Sequence, residues 1–426
     1  MPSSFDLRRR RALFLRQGFL VQKLRNIDFV LWGVPLLLVL LAGVLIASTQ
    51  RQVDYADWYH HWITAGLGIL IARGVAAVSI EKLRPFLFHL YGLTVASLFA
   101  VRFVGTSALG AQRWLSIAGV NVQPSEFAKL TAIIVLAGVL DRHRIKKPVH
   151  LLKPLSVILV PWALVFSQPD LGTSLVFGAV LITMLYWSGM PVEWALLVLF
   201  AIFTAVLSGL FPWALLLWIP LMGLLAYRSL PQKILAAVLT IALQCLIAFA
   251  TPWLWLNAFK DYQRDRLVLF LDPAKDPLGG GYHLLQSTVG IGSGGLFGTG
   301  LFQGQLTKLR FIPEQHTDFV FSALGEEMGF LGTMLVIFGF FLLMARLLTV
   351  AREARTDFES LVVVGVLAML FFQIMVNIFM TIGLGPVTGI PLPFLSYGRT
   401  ALLVNFASLG LCLSVARRGY TASKNW

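Results

Sequence analysis

Charge is what this sequence has least of. Only 13% of its 426 residues are Asp, Glu, Lys or Arg, about half of the ~25% of a soluble domain. With 58% hydrophobic residues in long runs, that scarcity excludes an ordinary soluble chain. Lipid admits only helices or closed barrels, because every backbone N–H and C=O must be paired internally. The apolar runs are continuous rather than alternating, which excludes a barrel. The sequence therefore predicts an all-α, polytopic membrane helix bundle. Cysteine is scarce too: Cys245 and Cys412 both lie in apolar runs, and neither a disulfide framework nor a cysteine metal site is implied. His60, His61, His283 and His316 lack metal-ligand spacing. A G-x-x-x-x-G-K-[ST] loop is missing, as is any cytosolic domain, which argues against an ATP-driven pump. The basic N-terminal stretch lacks a short apolar core with a small-residue cleavage site, so the first apolar run is expected to stay as a helix.

What charge there is carries a net of +14. It does not point to nucleic acid, since no folded basic domain remains to bind one. The basic residues sit at the ends of apolar runs, where they set topology. Residues 1–26 hold Arg8, Arg9, Arg10, Arg11, Arg16, Lys23 and Arg25 and form a basic cytoplasmic segment. Counting runs from Phe29 onward gives about twelve spans, with both termini cytoplasmic. Residues 27–418 make one membrane domain, 419–426 a cytoplasmic tail. Three runs lie between 191 and 257, the last two separated by Arg228 and Lys233. They place the next segment, 258–318, outside as a large extracytoplasmic loop.

That loop is rich in Gly, aromatic and charged residues, and long loops of this kind are usually functional. It ends at His316-Thr317-Asp318, where a new apolar run begins with Phe319. Asp318 is the candidate catalytic acid–base, because a carboxylate at a membrane boundary beside apolar walls tends to a perturbed pKa. The plainer role for an Asp at a helix start is capping. Glu126 and Lys129 share one helix face at i and i+3. They form either a mutual ion pair, or a site where Lys129 steers a diphosphate or partners Asp318. Arg113 beside Trp114 holds phosphate or snorkels to the interface. Arg264, Arg266, Lys308 and Arg310 make the outer loop basic, which suits an anionic headgroup; solvated loop charges are the alternative. Glu326 and Glu327 sit about two turns into the span after Asp318, suited to a polar interior. The glycines Gly279–Gly281, Gly292, Gly294, Gly295, Gly298 and Gly300 look like a phosphate loop only weakly, since Gly serves any turn with positive φ.

Seven stretches carry a resemblance: GAQRWLSI, QPSEFAKL, QPDLGTS, DYQRDRLVLFLDPAKDPLGGGYHLLQS, IGSGGLFGTG, FIPEQHTDFVFSALGEEMGFLG and PLPFLSYG. Together, from about Ala111 to Arg418, they resemble the SEDS family (shape, elongation, division and sporulation proteins), in its RodA-type branch. The resemblance implies a peptidoglycan glycosyltransferase in the bacterial plasma membrane. It would polymerise lipid II on the outer face, with undecaprenyl diphosphate as leaving group and a class B penicillin-binding protein as partner. It assigns the essential acid to Asp318 and a charged pair to Glu126 and Lys129. A divalent cation bridging the diphosphate fits such chemistry, though the sequence shows no ligand set for one. Two departures stand out: Arg399 follows Ser396-Tyr397-Gly398 where the family usually has a second Gly, and residues 191–257 are expected to add a pair of helices to a ten-span core. The rival functions are a lipid II flippase and a non-catalytic scaffold for the penicillin-binding protein.

Overall fold

The computed structural model describes residues 28–422 apart from 50–57, 109–110, 118–119, 143–144, 146–147, 169, 231, 258–260, 277–280 and 313. The basic segment 1–26, residues 423–426 of the tail and Gly279–Gly280 of the glycine series lie outside the described residues. Apolar runs become helices because in lipid the backbone has no other partner than itself. In chain order they are α1 (Phe29–Thr49), α2 (Trp58–Ala77), α3 (Leu87–Val104), α4 (Pro124–Arg142), α5 (Leu152–Ser167), α6 (Leu171–Trp187), α7 (Val192–Leu210), α8 (Leu215–Ser229) and α9 (Lys233–Asn257). After the loop come α13 (Val320–Arg352), α14 (Asp357–Thr381) and α15 (Arg399–Ala422). Among the described residues, 8 helical segments are long and apolar enough to cross a bilayer. Four helices fall short of that: α2 and α4 carry more polar residues, while α6 and α8 have only 17 and 15 residues.

The bundle is built around α14, which packs against α4, α6, α13 and α15. Its buried Phe358, Val363, Met369 and Leu370 lie in the core. The C-terminal α15 lies along α2, and α1 along α13. Ion pairs tie helix ends together: Arg84 to Glu81 and Asp141, Arg346 to Asp28, and Arg418 to Glu359. Helices α7, α8 and α9 pack mainly on one another. A polar node joins them, in which Trp218 Nε1 donates to Thr204 Oγ1 at 2.9 Å, Thr204 meets Gln244, and Ser208 donates to the carbonyl of Ala248 at 2.7 Å. Such side-chain bonds are the usual link between helices in lipid, where no hydrophobic force separates helix from solvent.

Two connections are folded. Between α3 and α4, strands β1 (Thr106–Ala108), β2 (Ala111–Ile117) and β3 (Val120–Val122) form an antiparallel sheet in that order. Between α9 and α13 lie the short helices α10 (Asp261–Leu271), α11 (Tyr282–Ser293) and α12 (Gln305–Lys308). The glycine-rich stretch after α11 docks on a break in α13. Phe330 N donates to Gly295 O at 2.9 Å and Leu331 N to Leu296 O at 3.1 Å, while Gly300 N donates to Glu327 O at 3.0 Å. The break needs Gly329, whose φ of +64° would strain any side chain and whose Cβ would sit 2.3 Å from the backbone N of Gly298. This docking, rather than phosphate binding, accounts for Gly295, Gly298 and Gly300. Arg399 does not disturb the chain after Gly398: it is exposed at the start of α15, and Leu402 N donates back to Gly398 O at 2.9 Å.

Candidate active site

Asp318 sits in a tight turn just before α13. Thr317 N and Phe319 N both donate to the carbonyl of Glu314, at 3.1 and 3.2 Å. Gln315 Nε2 fixes this turn to two distant carbonyls, Thr49 O at 3.1 Å and Thr307 O at 3.0 Å. Tyr397 N donates to His316 O at 2.8 Å, which lays the Pro391–Gly398 segment against the turn. The side-chain amide of Asn377, on α14, donates to the backbone carbonyls of Asp318 at 2.9 Å and Ile390 at 2.8 Å. Phe319 is buried and its ring stacks on His283 at 6.1 Å.

The carboxylate is not spent on a cap. Phe319 is the residue at the α13 cap and no side chain caps that end, so the capping expectation is corrected: the helix begins one residue too late for Asp318 to fill that role. The side chain is half-buried, crowded by protein atoms yet still reachable. Burial pushes its pKa up to about 6; Glu314 adds to the rise, Arg266 and Arg113 oppose it, and Asp170 adds a little more. The same charges reach the neighbouring imidazoles. Burial lowers the pKa of His283, with Glu314 opposing and Arg266 assisting. His316 is likewise lowered by burial, with Glu314 opposing and Arg310 assisting.

Arg113 projects from β2, where its Nε donates to Gln168 O at 3.3 Å. Asp170 is buried at the start of α6, accepting from Thr173 N at 3.1 Å and from Gln123 Nε2 at 3.1 Å. Arg266 is half-buried on α10. The structure thus groups Asp318 with Arg113 and Arg266 from the predicted set. Lys129 Nζ closes on Glu126 Oε1 at 2.8 Å, with side chains only 2% and 4% exposed; the mutual ion pair is the arrangement found. Lys308 is exposed on α12, Arg264 is half-buried on α10, and Arg310 lies nearer His316. Glu326 accepts from Leu306 N, Thr307 N and Thr307 Oγ1 at 2.8, 2.8 and 2.5 Å, a structural role. Asp170, Glu314 and Asn377 join the site without having been singled out in the sequence; for Asp170 the Gln168-Pro169-Asp170 break between two apolar runs was the available signal. A groove of about 520 Å³ beside Glu327 runs along α13 between Phe297 and Leu335, with Asp318 outside its wall. Among the described residues no three His, Cys, Asp or Glu side chains converge on a metal position.

The chain is similar to known proteins over nearly its whole length. The chain matches the FtsW/RodA/SpoVE family, described as "Cell cycle protein", over residues 22–211 and 211–421. It is 34% identical over 391 residues to the peptidoglycan glycosyltransferase MrdB of Escherichia coli K12, covering 91% of this chain and 93% of that one. It is 31% identical over 420 residues to the peptidoglycan glycosyltransferase RodA of Treponema pallidum, covering 91% and 95%. Its fold superposes on a chain from a peptidoglycan synthase complex that coordinates polymerization and crosslinking, with TM-score 0.69, 30% identity, and 92% and 98% coverage. Thermus thermophilus RodA gives TM-score 0.60 at 26% identity, covering 92% and 97%. The chain belongs to the FtsW/RodA/SpoVE family, the SEDS family of polytopic membrane proteins whose motifs its sequence carries.

Proposed function

We propose that this chain is a peptidoglycan glycosyltransferase of the bacterial plasma membrane in which Asp318 is the general base. The observation that carries the reading is a reachable carboxylate, free of capping duty, whose pKa is held at about 6 beside two arginines. A base works best with a pKa near the operating pH. Asp318 takes the proton of the sugar 4-hydroxyl of an acceptor lipid II. The freed oxygen bonds to C1 of the donor's muramyl sugar. The C1–O bond to the diphosphate breaks, its electron pair leaves with undecaprenyl diphosphate, and the proton stays on Asp318 until water removes it. Arg113 and Arg266 stabilise the charge that builds on the departing diphosphate. Lys129, closed on Glu126, supports α4 instead. Holding both lipids at one membrane surface supplies the orientation term. Glycosidases need a second carboxyl as acid for a poor leaving group; a diphosphate leaves without one.

The reading puts both termini in the cytoplasm, with 258–318 and the β1–β3 sheet on the outer face. It makes 191–257 an added pair of helices on a ten-span core; the family match divides at residue 211, within that segment. A class B penicillin-binding protein is the partner that crosslinks the product. The test is polymerisation of labelled lipid II by the purified chain with that partner. Glycan chains from wild type, lost in Asp318→Ala, support the enzyme. Lipid II crossing liposome membranes without any chain formation would establish the flippase instead, and neither activity would leave a scaffold.

A further inference from the structure

Asn377 is fully buried near the outer end of α14, between the buried polar residues Gln373 and Thr381 one turn to either side. A primary amide at such a place is costly unless hydrogen-bonded. Its NH2 points at two carbonyl oxygens, one hydrogen to each, while its own Oδ1 is buried without a hydrogen-bond partner. One carbonyl belongs to Asp318 at 2.9 Å and the other to Ile390 at 2.8 Å. Ile390 follows Gly389, whose φ is +73° and whose missing Cβ would lie 3.5 Å from Asp318 Oδ2. One side chain therefore joins the turn that bears the acid to the segment that borders its carboxyl oxygen.

We infer that Asn377 is a positioning residue for the transfer reaction, fixing the backbone of Asp318 against the Gly389–Ile390 wall so that the carboxylate points at its substrate. The inference rests on the reading of Asp318 as the base. Asn377 touches only backbone and no reacting atom. It acts by holding the turn, and Tyr397 N on His316 O provides a second fixed point two residues earlier. Leu shares the branched outline of Asn, is somewhat larger, and donates nothing. In Asn377→Leu the turn keeps its packing but loses the staple, and the carboxylate moves out toward water.

The test uses full-length protein with lipid II and the partner, comparing wild type, Asp318→Ala and Asn377→Leu across pH. Asn377→Leu is expected to lower kcat at least about tenfold, a share of what orientation supplies. The acid limb of its rate profile is expected to move to lower pH, because a carboxyl nearer water returns toward its ordinary value. A lower fraction of folded enzyme would scale the rate equally at every pH and leave the limb in place. Wild-type rate in Asn377→Leu, or a reduced rate with an unmoved limb, overturns the inference while Asp318→Ala remains inactive. Activity retained in Asp318→Ala overturns the reading beneath it. Should Asn377→Leu fail to fold, Asn377→Ser decides: its hydroxyl can donate to only one carbonyl, and a several-fold loss with the limb moved the same way is expected, whereas an unmoved limb refutes the staple.

Discussion

Thr307 gives both its backbone N–H and its hydroxyl to the same carboxylate oxygen of Glu326, at 2.8 and 2.5 Å. The other oxygen takes Leu306 N at 2.8 Å. A buried carboxylate in the wall of α13 thus holds down the loop that precedes this helix, and Gln315 reaches the carbonyl of Thr307 from the Asp318 turn. Glu326→Ala strands these donors, and each buried donor left open costs about 1–3 kcal/mol. A drop in unfolding temperature, followed by scanning fluorimetry in detergent, is expected together with loss of polymerisation. An unchanged melting profile would show that the loop is held by other contacts.

The pKa of Asp318 fixes the sign of the acid limb. The base works only when ionised, so the rate should rise with pH through about 6 and level off above it. An ordinary exposed Asp would place that rise near 4. Initial rates of lipid II polymerisation between about pH 5 and 8 at substrate well below KM, which report the free enzyme, check this. A flat profile down to pH 5 would mean that Asp318 is not the group being titrated.

Much of this was legible before any coordinates. Asp318 stands out because polar loop changes to apolar run at Phe319, one residue later. Glu126 and Lys129 share a helix face by spacing alone, and they meet at 2.8 Å. Spacing could not say whether that pair served each other or a ligand, since the choice depends on what else surrounds it. The sequence leaves capping open for Asp318, and a local feature removes it: the Glu314–Phe319 turn delays helix onset until Val320. Asn377 was invisible. It is one of two amides in a largely apolar run, with Gln373 one turn before it, and its partners lie 59 residues before it and 13 after it. Nor does a glycine declare what will approach it, so the docking of Gly295–Gly300 on α13 could not be told from a phosphate loop.

That docking makes its own prediction. Gly329 has φ +64° and ψ −164°, a region that is essentially glycine's alone and costs about 1–3 kcal/mol for other residues. Its added Cβ would also meet the backbone N of Gly298 at 2.3 Å, an atom with no freedom to yield. Gly329→Ala should release the glycine-rich stretch from α13 and expose it to limited proteolysis near Gly298. Gly33→Ala, in open space on α1, is the control and should leave the digest unchanged. Equal protection in both variants would refute the docking.

Arg113 separates electrostatic support from simple placement. Its charge lowers the pKa of Asp318, so Arg113→Gln should shift the acid limb to higher pH, opposite to the shift expected for Asn377→Leu. Its second effect is on the leaving group. Loss of one preorganised donor to developing charge costs about 10²–10³ in kcat at comparable sites. The rate on the plateau, where Asp318 is ionised in both proteins, should therefore remain far below wild type. Arg113→Lys keeps the charge without the planar fork; its limb should stay near that of wild type while its plateau falls partway. If Arg113→Gln moved the limb but left the plateau intact, Arg113 would tune the base alone, and the diphosphate would fall to Arg266.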